Sequence, residues 1–319
     1  MKLPKLIDVE NNLKNCLLLK ADDLYFTLDE DRGSRLRNEF IGIAIEGLAD
    51  ENVSSEDFSR IDLDRFAIYR RVKLLYDMLA GRWLSDGNPN TPDSEYARQD
   101  GLEFVEYFLS TLPSVAMGGW DKTHEAQGAV KDVYAHSYAW LNLVDAISGA
   151  FEGETTCELT ISDLALLSGL DRRSVHNKCG PAKEIRTTVG RYAKKERKAV
   201  DPAFVTVHPF DAIAWLCSRS SFSIKPIDQA WVTMRLTVHT RQPNTHNSAG
   251  RTCGLLVAAL VNGTRLNDLL ARLGITIEQC RDWYDLGAEI PEVHRSKLAA
   301  ILQLSLHRPS FEIDPFIDT

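Results

Sequence analysis

The segment TISDLALLSGLDRRSVHNKCGP, residues 160–181, decides how the fold is interpreted. Thr160 is followed three residues later by Asp163, a capping-box spacing that opens a helix. Gly169 can adopt a positive φ without a Cβ clash, so the chain can turn sharply after that helix. Asp171 can then cap a second helix. The segment therefore predicts two short helices joined by a tight turn.

The second of these helices is expected to be polar on its outer side. Val175 is expected to point towards the core, and Gly180 followed by Pro181 is expected to end the helix, with Gly180 in the C′ position. The side chains that remain are the exposed candidates for a binding surface: Arg172, Arg173, Ser174, His176, Asn177 and Lys178.

This pattern is similar to helix-turn-helix DNA-binding units. The likeness rests on Ala165 in the first helix, Gly169 four residues later, and the apolar Leu170 and Val175. In such units the second helix lies in the major groove and its N-terminal residues meet base edges. The resemblance implies base contacts by Arg and Asn, which bond guanine and adenine bidentately, and a phosphate contact by Lys178.

A basic hairpin is expected to follow. Residues 183–209, KEIRTTVGRYAKKERKAVDPAFVTVHP, place β-branched pairs on both sides of a basic stretch, although the core of that stretch, residues 192–198, could equally be helical. A helix with Pro209 in its first turn comes next. Residues 156–219 together resemble the winged helix of excisionase or MerR-like proteins, which implies a phosphate-contacting wing. The candidate wing residues are Arg191, Lys194, Lys195, Arg197 and Lys198. Arg186 is a further candidate DNA contact.

The charge distribution favours a localised anion-binding surface. The formal net charge is −8, which is the wrong sign for a protein that coats nucleic acid indiscriminately. Residues 171–198 nevertheless carry ten Lys and Arg against three acids, whereas residues 21–64 carry thirteen acids against four arginines. A basic island in an acidic chain is typical of a DNA-binding segment attached to a domain with another role.

The 319 residues are expected to form a mainly α, multidomain protein. Apolar spacing predicts helices at 40–48, 65–84, 101–112 and 135–151, and polar stretches at 151–158 and 240–252 suggest boundaries. The expected domains are a helical assembly domain, 1–150; a central winged helix-turn-helix with a small β-hairpin, 151–240; and a C-terminal helix-turn-helix-like helical domain, 241–319.

The C-terminal domain carries a second and weaker resemblance. Residues 264–303 are similar to the helix-turn-helix of Cro-like and lambda-repressor-like proteins, with Gly274 at the turn. Leu270 replaces the small residue that lets such helices cross closely. The second helix is acidic, which opposes contact with phosphate. We therefore expect this unit to serve packing or dimerisation, and its contact with DNA is left open.

Other functional classes find little support in the sequence. The six cysteines form no CxxC pair, so buried free thiols are expected rather than a zinc site. No phosphate-binding glycine loop, nucleophile elbow or HExxH motif occurs, and no catalytic residue, metal or cofactor is predicted. The N-terminus lacks the pattern of a signal peptide, and the apolar run at 253–261 is half of a membrane span, so a cytoplasmic protein without membrane contact is expected.

The sequence thus predicts a non-catalytic, sequence-specific protein that binds double-stranded DNA. A transcriptional regulator or an accessory DNA-organising factor is expected, acting as a homodimer so that two recognition helices meet two half-sites. The acidic N-terminal domain is expected to serve assembly or a protein partner. The alternative is a protein–protein adaptor in which both helix-turn-helix folds are scaffolding.

Overall fold

The computed structural model describes residues 3–46, 53–81, 92–112, 123–152, 159–180, 183–188, 205–224, 232, 248–286 and 291–303. The protein is mainly helical. It divides into two compact units, residues 2–138 and residues 139–319, and the division falls within one long helix. The predicted domain boundaries near residues 150 and 240 stay predictions.

The first unit is built from helices. They are α1 Leu6–Thr27, α2 Glu30–Ile41, α3 Ser55–Arg60, α4 Ala67–Leu79, α5 Pro92–Ser110 and the start of α6, Thr123–Glu152. Helix α1 packs against α2 and α4, and α4 packs against α5. Leu13 and Leu17 of α1 are buried, as are Leu75 and Leu79 of α4. These helices therefore share an apolar core.

One predicted helix of this unit is wrong. The apolar spacing of residues 40–48 predicts a helix there, but α2 ends at Ile41 and Gly42 adopts a left-handed conformation with φ 82°. The side chain of Asn38 accepts a hydrogen bond from the Ile45 amide at 3.2 Å, and Arg37 donates to the Ile45 carbonyl. Side chains thus provide hydrogen-bond partners for the amide and carbonyl of Ile45. This residue lies in a loop, and its apolar side chain is buried.

The described part of the second unit continues from the end of α6 through short helices and two strands. They are α7 Ile161–Ser168, α8 Arg172–His176, β1 Thr187–Thr188, β2 Thr206–Val207, α9 Pro209–Cys217, α10 Ser248–Val261, α11 Leu266–Leu273, α12 Ile277–Leu286 and α13 Glu292–Ile301. The predicted helix with Pro209 in its first turn is confirmed as α9.

Helix α10 forms the centre of this unit. Every residue from Cys253 to Val261 is buried, so this part of the helix is covered on all sides, as is typical of a core helix. Helices α9, α12 and α13 pack around it. Among the helices that the structure describes, α10 included, none combines the length and the hydropathy that crossing a membrane requires.

The two strands form a short ribbon, and a further segment of the chain is hydrogen-bonded to β2. β1 and β2 are antiparallel, with Thr187 opposite Val207 and Thr188 opposite Thr206. On the other side of β2, the Val207 amide donates to the Leu159 carbonyl at 2.8 Å. The residues just before α7 are therefore bonded to β2, and this ties the ribbon to the start of the helix pair α7–α8.

Candidate nucleic-acid interface

The turn between α7 and α8 follows the predicted chemistry closely. Thr160 and Asp163 form a capping box, in which the Asp163 amide donates to Thr160 Oγ1 at 3.1 Å and the Thr160 amide donates to Asp163 Oδ2 at 2.9 Å. Gly169 ends α7 in the left-handed conformation, with φ 70°. Asp171 then caps α8 by accepting the Ser174 amide at 2.9 Å. Two short helices joined by a tight turn are therefore present at residues 161–176, as the sequence predicts.

Asp171 is held as a carboxylate by this cap. Ser174 donates to it from both its hydroxyl and its backbone amide, and these hydrogen bonds lower the pKa of Asp171 below its ordinary value. The Ser174 hydroxyl lies 2.5 Å from Asp171 Oδ2. Ser174 was predicted as a DNA contact, and its hydroxyl is used within the protein to begin the helix.

Buried side chains fix the orientation of α8. Val175 on α8 and Leu164 and Leu167 on α7 have no exposed surface. Helix α7 also packs against α9. The opposite side of α8 and the residues just after it are exposed: Arg172, Arg173, His176, Asn177 and Lys178. The segment therefore presents an exposed polar surface above a buried apolar side.

Helix α8 ends earlier than the sequence predicts. It stops at His176, whereas Gly180 was expected at the C′ position. The Ile185 amide donates to the Lys178 carbonyl at 3.1 Å, and the Gly180 amide donates to the Ile185 carbonyl at 2.9 Å. The backbone groups that would continue the helix are bonded instead to the returning chain, which places Ile185 in the core.

Lys178 has a partner on that returning chain. Its Nζ lies 3.2 Å from Glu184 Oε2, and both side chains are about half exposed, 55% and 50%. Exposed pairs of this kind contribute only about 0–1 kcal/mol. A stronger anion can therefore displace Glu184, and Lys178 remains a candidate phosphate contact.

Arg186 is bonded to carboxylates within the protein. Its Nη2 is 2.7 Å from Asp285 Oδ2 of α12, and its backbone amide donates to Asp211 Oδ2 at 2.8 Å. The guanidinium of Arg186 is therefore already paired with a carboxylate, and this pairing does not favour the predicted role of Arg186 as a DNA contact. The remaining wing candidates, Arg191, Lys194, Lys195, Arg197 and Lys198, lie outside the described residues.

A polar cluster that the sequence did not predict lies at the base of the ribbon. The carboxylate of Asp285 bonds to Arg186 and also lies 2.8 Å from His208 Nε2. Asp211 accepts two bonds from Arg281, Nε to Oδ1 at 2.9 Å and Nη2 to Oδ2 at 2.8 Å. The aromatic ring of Tyr284 packs edge-on against His208, with ring centres 5.5 Å apart.

His208 is a buried titratable group of this cluster. Its side chain is 1% exposed, and Nδ1 has no hydrogen-bond partner. Burial lowers the pKa of His208 below its ordinary value, while the nearby carboxylates of Asp285 and Asp211 oppose that shift. The neutral ring donates from Nε2 to Asp285, because a proton on Nδ1 would be buried without an acceptor.

Five of the six cysteines fall within the described residues, and all five are free thiols. Cys16, Cys179, Cys253 and Cys280 are buried and none is in a disulfide. Burial raises the pKa of Cys253 and of Cys280 to about 12. They are therefore protonated at neutral pH and suit core packing. Within the described ranges, no group of three or more His, Cys, Asp or Glu residues could hold a metal ion.

Comparison of the chain with protein-family models, with curated proteins and with solved structures gives no match.

Proposed function

We propose that this protein binds double-stranded DNA in a sequence-specific manner through a winged helix-turn-helix formed by α7, α8 and the β1–β2 ribbon. The observation that supports this most is the capped turn at Gly169 and Asp171, which presents an exposed polar helix. An antiparallel ribbon is bonded to the residues just before the first helix of the pair. In helix-turn-helix proteins the second helix enters the major groove with its N-terminal residues foremost.

Helix α8 and the residue that follows it carry the proposed base contacts. Arg172 and Arg173 follow the cap residue directly, and Asn177 follows the helix. Arg bonds O6 and N7 of guanine bidentately and Asn bonds N6 and N7 of adenine, and each such pair contributes about 1–3 kcal/mol of discrimination. In this proposal Arg172, Arg173 and Asn177 provide specificity.

Phosphate contacts supply the rest of the affinity. Lys178 lies beside the proposed recognition helix, and the sequence between β1 and β2 contains five Lys and Arg residues. Their positive charge, in a chain of net charge −8, would orient the protein on DNA, since the acidic remainder is repelled. In this proposal the protein binds DNA in one orientation and does not coat it nonspecifically.

The proposed biological role is that of a transcriptional regulator or an accessory DNA-organising factor, without catalytic activity. A homodimer would place two recognition helices on half-sites about 34 Å apart. The N-terminal unit, whose residues 21–64 are rich in acids, is the proposed element of assembly or of contact with a protein partner.

The test is a binding assay of the purified chain against fragments of genomic DNA. The double variant Arg172→Ala/Arg173→Ala should lose fragment selectivity. The matched control is Arg32→Ala/Arg60→Ala, which removes two exposed arginines of the first unit, 71% and 65% exposed. The control should bind like the unmodified protein. Equal loss in both double variants would contradict a specific role of α8.

A protein–protein adaptor is the competing proposal, and helix α12 favours it for the C-terminal region. Arg281 and Asp285 of this helix are bonded within the protein, to Asp211 and to Arg186. In a second DNA-binding unit these charges would face a groove. If the whole chain is an adaptor, it should fail to bind DNA at low salt while remaining folded.

A further inference from the structure

Two charged residues of α12, one helical turn apart, hold the base of the ribbon at two points. Asp285 bonds to Arg186, which directly precedes β1, and to His208, which directly follows β2. Arg281 bonds to Asp211, whose carboxylate also accepts the backbone amide of Arg186. Both strands are therefore tied to α12 at the end of the ribbon where it joins the rest of the unit.

We propose that α12 is a brace that fixes the direction of the β1–β2 ribbon, and that Asp285 is its positioning residue. For its DNA readout this inference rests on the proposed function. It assigns the C-terminal helix-turn-helix-like segment a role in orienting the wing, and it makes Arg186 part of the brace.

The first contact of the brace joins the two strands through one carboxylate. Arg186 Nη2 lies 2.7 Å from Asp285 Oδ2, and His208 Nε2 lies 2.8 Å from Asp285 Oδ1. The His208 amide also donates to the Arg186 carbonyl at 2.8 Å. A change in the twist of the ribbon at its base would have to break at least one of these bonds.

The second contact is more deeply buried. The Asp211 side chain has no exposed surface and that of Arg281 is 11% exposed. Tyr284, between Arg281 and Asp285 in the helix, is buried and donates from its hydroxyl to the Ala146 carbonyl at 3.2 Å. Three bonding residues of α12 within five positions therefore fix how this helix lies on its own unit.

A brace accounts for the charges of α12 better than a DNA-binding surface does. An arginine that binds phosphate presents its planar fork to the ligand. The forks of Arg186 and Arg281 already face carboxylates at 2.7–2.9 Å. The Asp285 carboxylate is 43% exposed and would repel phosphate placed on Arg186. The cluster is thus suited to holding the ribbon.

Amide hydrogen exchange tests the brace without DNA. Asp285→Asn removes the charge that attracts Arg186. Because this pair is partly exposed, its loss should speed exchange of the Val207 and His208 amides by several-fold. Asp282→Asn is the matched control, because Asp282 is an exposed acid of the same helix. Asp285→Glu keeps the carboxylate and should restore most of the protection.

The amides of α10 provide the internal reference. They lie in the buried centre of the unit, so their exchange should be unchanged by Asp285→Asn. Faster exchange confined to the ribbon is the expected result. Unchanged ribbon amides would overturn the proposal. Equal acceleration in the ribbon and in α10 would also overturn it, since Asp285 would then stabilise the unit as a whole.

DNA affinity supplies the functional measurement. Asp285→Asn should bind genomic fragments several-fold more weakly than Asp282→Asn, although both variants lose one negative charge. Tighter binding by Asp285→Asn than by Asp282→Asn would overturn the brace, because Asp285 would then compete with phosphate for Arg186. If the unmodified chain binds no DNA, the proposed function fails, and the exchange measurement still decides on the brace.

Discussion

Asp211 and Arg281 form a two-point ion pair between the first turn of α9 and helix α12. Their two hydrogen bonds measure 2.8 and 2.9 Å, and those bonds raise the pKa of Arg281 above its ordinary value. The residues are 70 positions apart in the chain. The pair joins the C-terminal helices to the segment that follows the ribbon, and it is buried on the Asp211 side.

Removing one partner of this pair should be costly. Arg281→Met leaves the Asp211 carboxylate buried without its counter-charge, and we expect a loss of about 3–5 kcal/mol in the free energy of unfolding, measured in urea. The double variant Asp211→Asn/Arg281→Met should recover part of the loss, because the neutral amide can still accept the Arg186 amide. Arg272→Met, at an exposed position of α11, is the control.

A small effect would contradict this account of the pair. If Arg281→Met and Arg272→Met unfold at the same urea concentration, the Asp211–Arg281 contact does not hold the two segments together.

The stability of the protein should fall in mild acid because of His208. Its pKa is lower in the folded than in the unfolded chain, so the folded state binds fewer protons. The neutral ring therefore contributes fully above the ordinary pKa of about 6.5, and its contribution is lost as the pH falls through the lower, folded value. Thermal unfolding between pH 7.5 and 5 measures this.

The matched variants are His208→Gln and His176→Gln. The first variant removes the buried ring and should reduce the fall in thermal stability below pH 6.5. The second removes an exposed ring and should leave the pH dependence of stability unchanged. The same pH dependence in His208→Gln would show that another group is responsible.

Two glycines allow the two turns of the second unit to be compared directly. Gly169 and Gly274 have φ of 70° and 71°, so Ala at either position should cost a similar amount, about 1 kcal/mol of stability. Gly169→Ala should weaken DNA binding more than Gly274→Ala, because the turn at Gly169 directly precedes the proposed recognition helix. Gly169→Asn should be milder, since Asn tolerates the left-handed conformation.

Equal loss of DNA affinity in Gly169→Ala and Gly274→Ala would contradict this assignment. It would indicate either that the C-terminal unit also contacts DNA or that affinity follows stability alone. Fluorescence anisotropy with a selected fragment, together with urea unfolding of each variant, separates these outcomes.

A close helix contact should make Gly254 intolerant of substitution. A Cβ placed there would lie 2.5 Å from Cδ1 of Phe151, at the end of α6. Gly254→Ala should therefore lower the free energy of unfolding by about 1–3 kcal/mol through overpacking. Combining it with Phe151→Leu should relieve part of the strain. A destabilisation that the second substitution leaves unchanged would contradict this cause.

The sequence predicted best what depends on neighbouring residues. The capping box at Thr160, the left-handed Gly169 and the cap at Asp171 each involve side chains and backbone within three or four positions. Turn and cap chemistry of this kind is local, so composition and spacing are enough to specify it. Helix α1 was missed, although its buried positions, among them Val9 and Leu13, have helical spacing.

The polar cluster at the ribbon could not be predicted in the same way. Arg186 and Asp285 are 99 positions apart, and nothing near either residue indicates the partner. The early end of α8 has a similar cause, because it depends on the return of the chain at Ile185. Interactions that tertiary folding creates override local signals such as the Gly180–Pro181 pair.

The measurement that tests the central claim most directly is the salt dependence of DNA binding. The affinity of the unmodified chain for selected genomic fragments should fall steeply between about 50 and 200 mM salt, since neutralised phosphates release counterions. Arg172→Ala/Arg173→Ala should lose preference for those fragments and keep weak, salt-sensitive binding. A folded protein that binds no fragment at about 50 mM salt would contradict the claim that α8 and the ribbon form a DNA-binding unit.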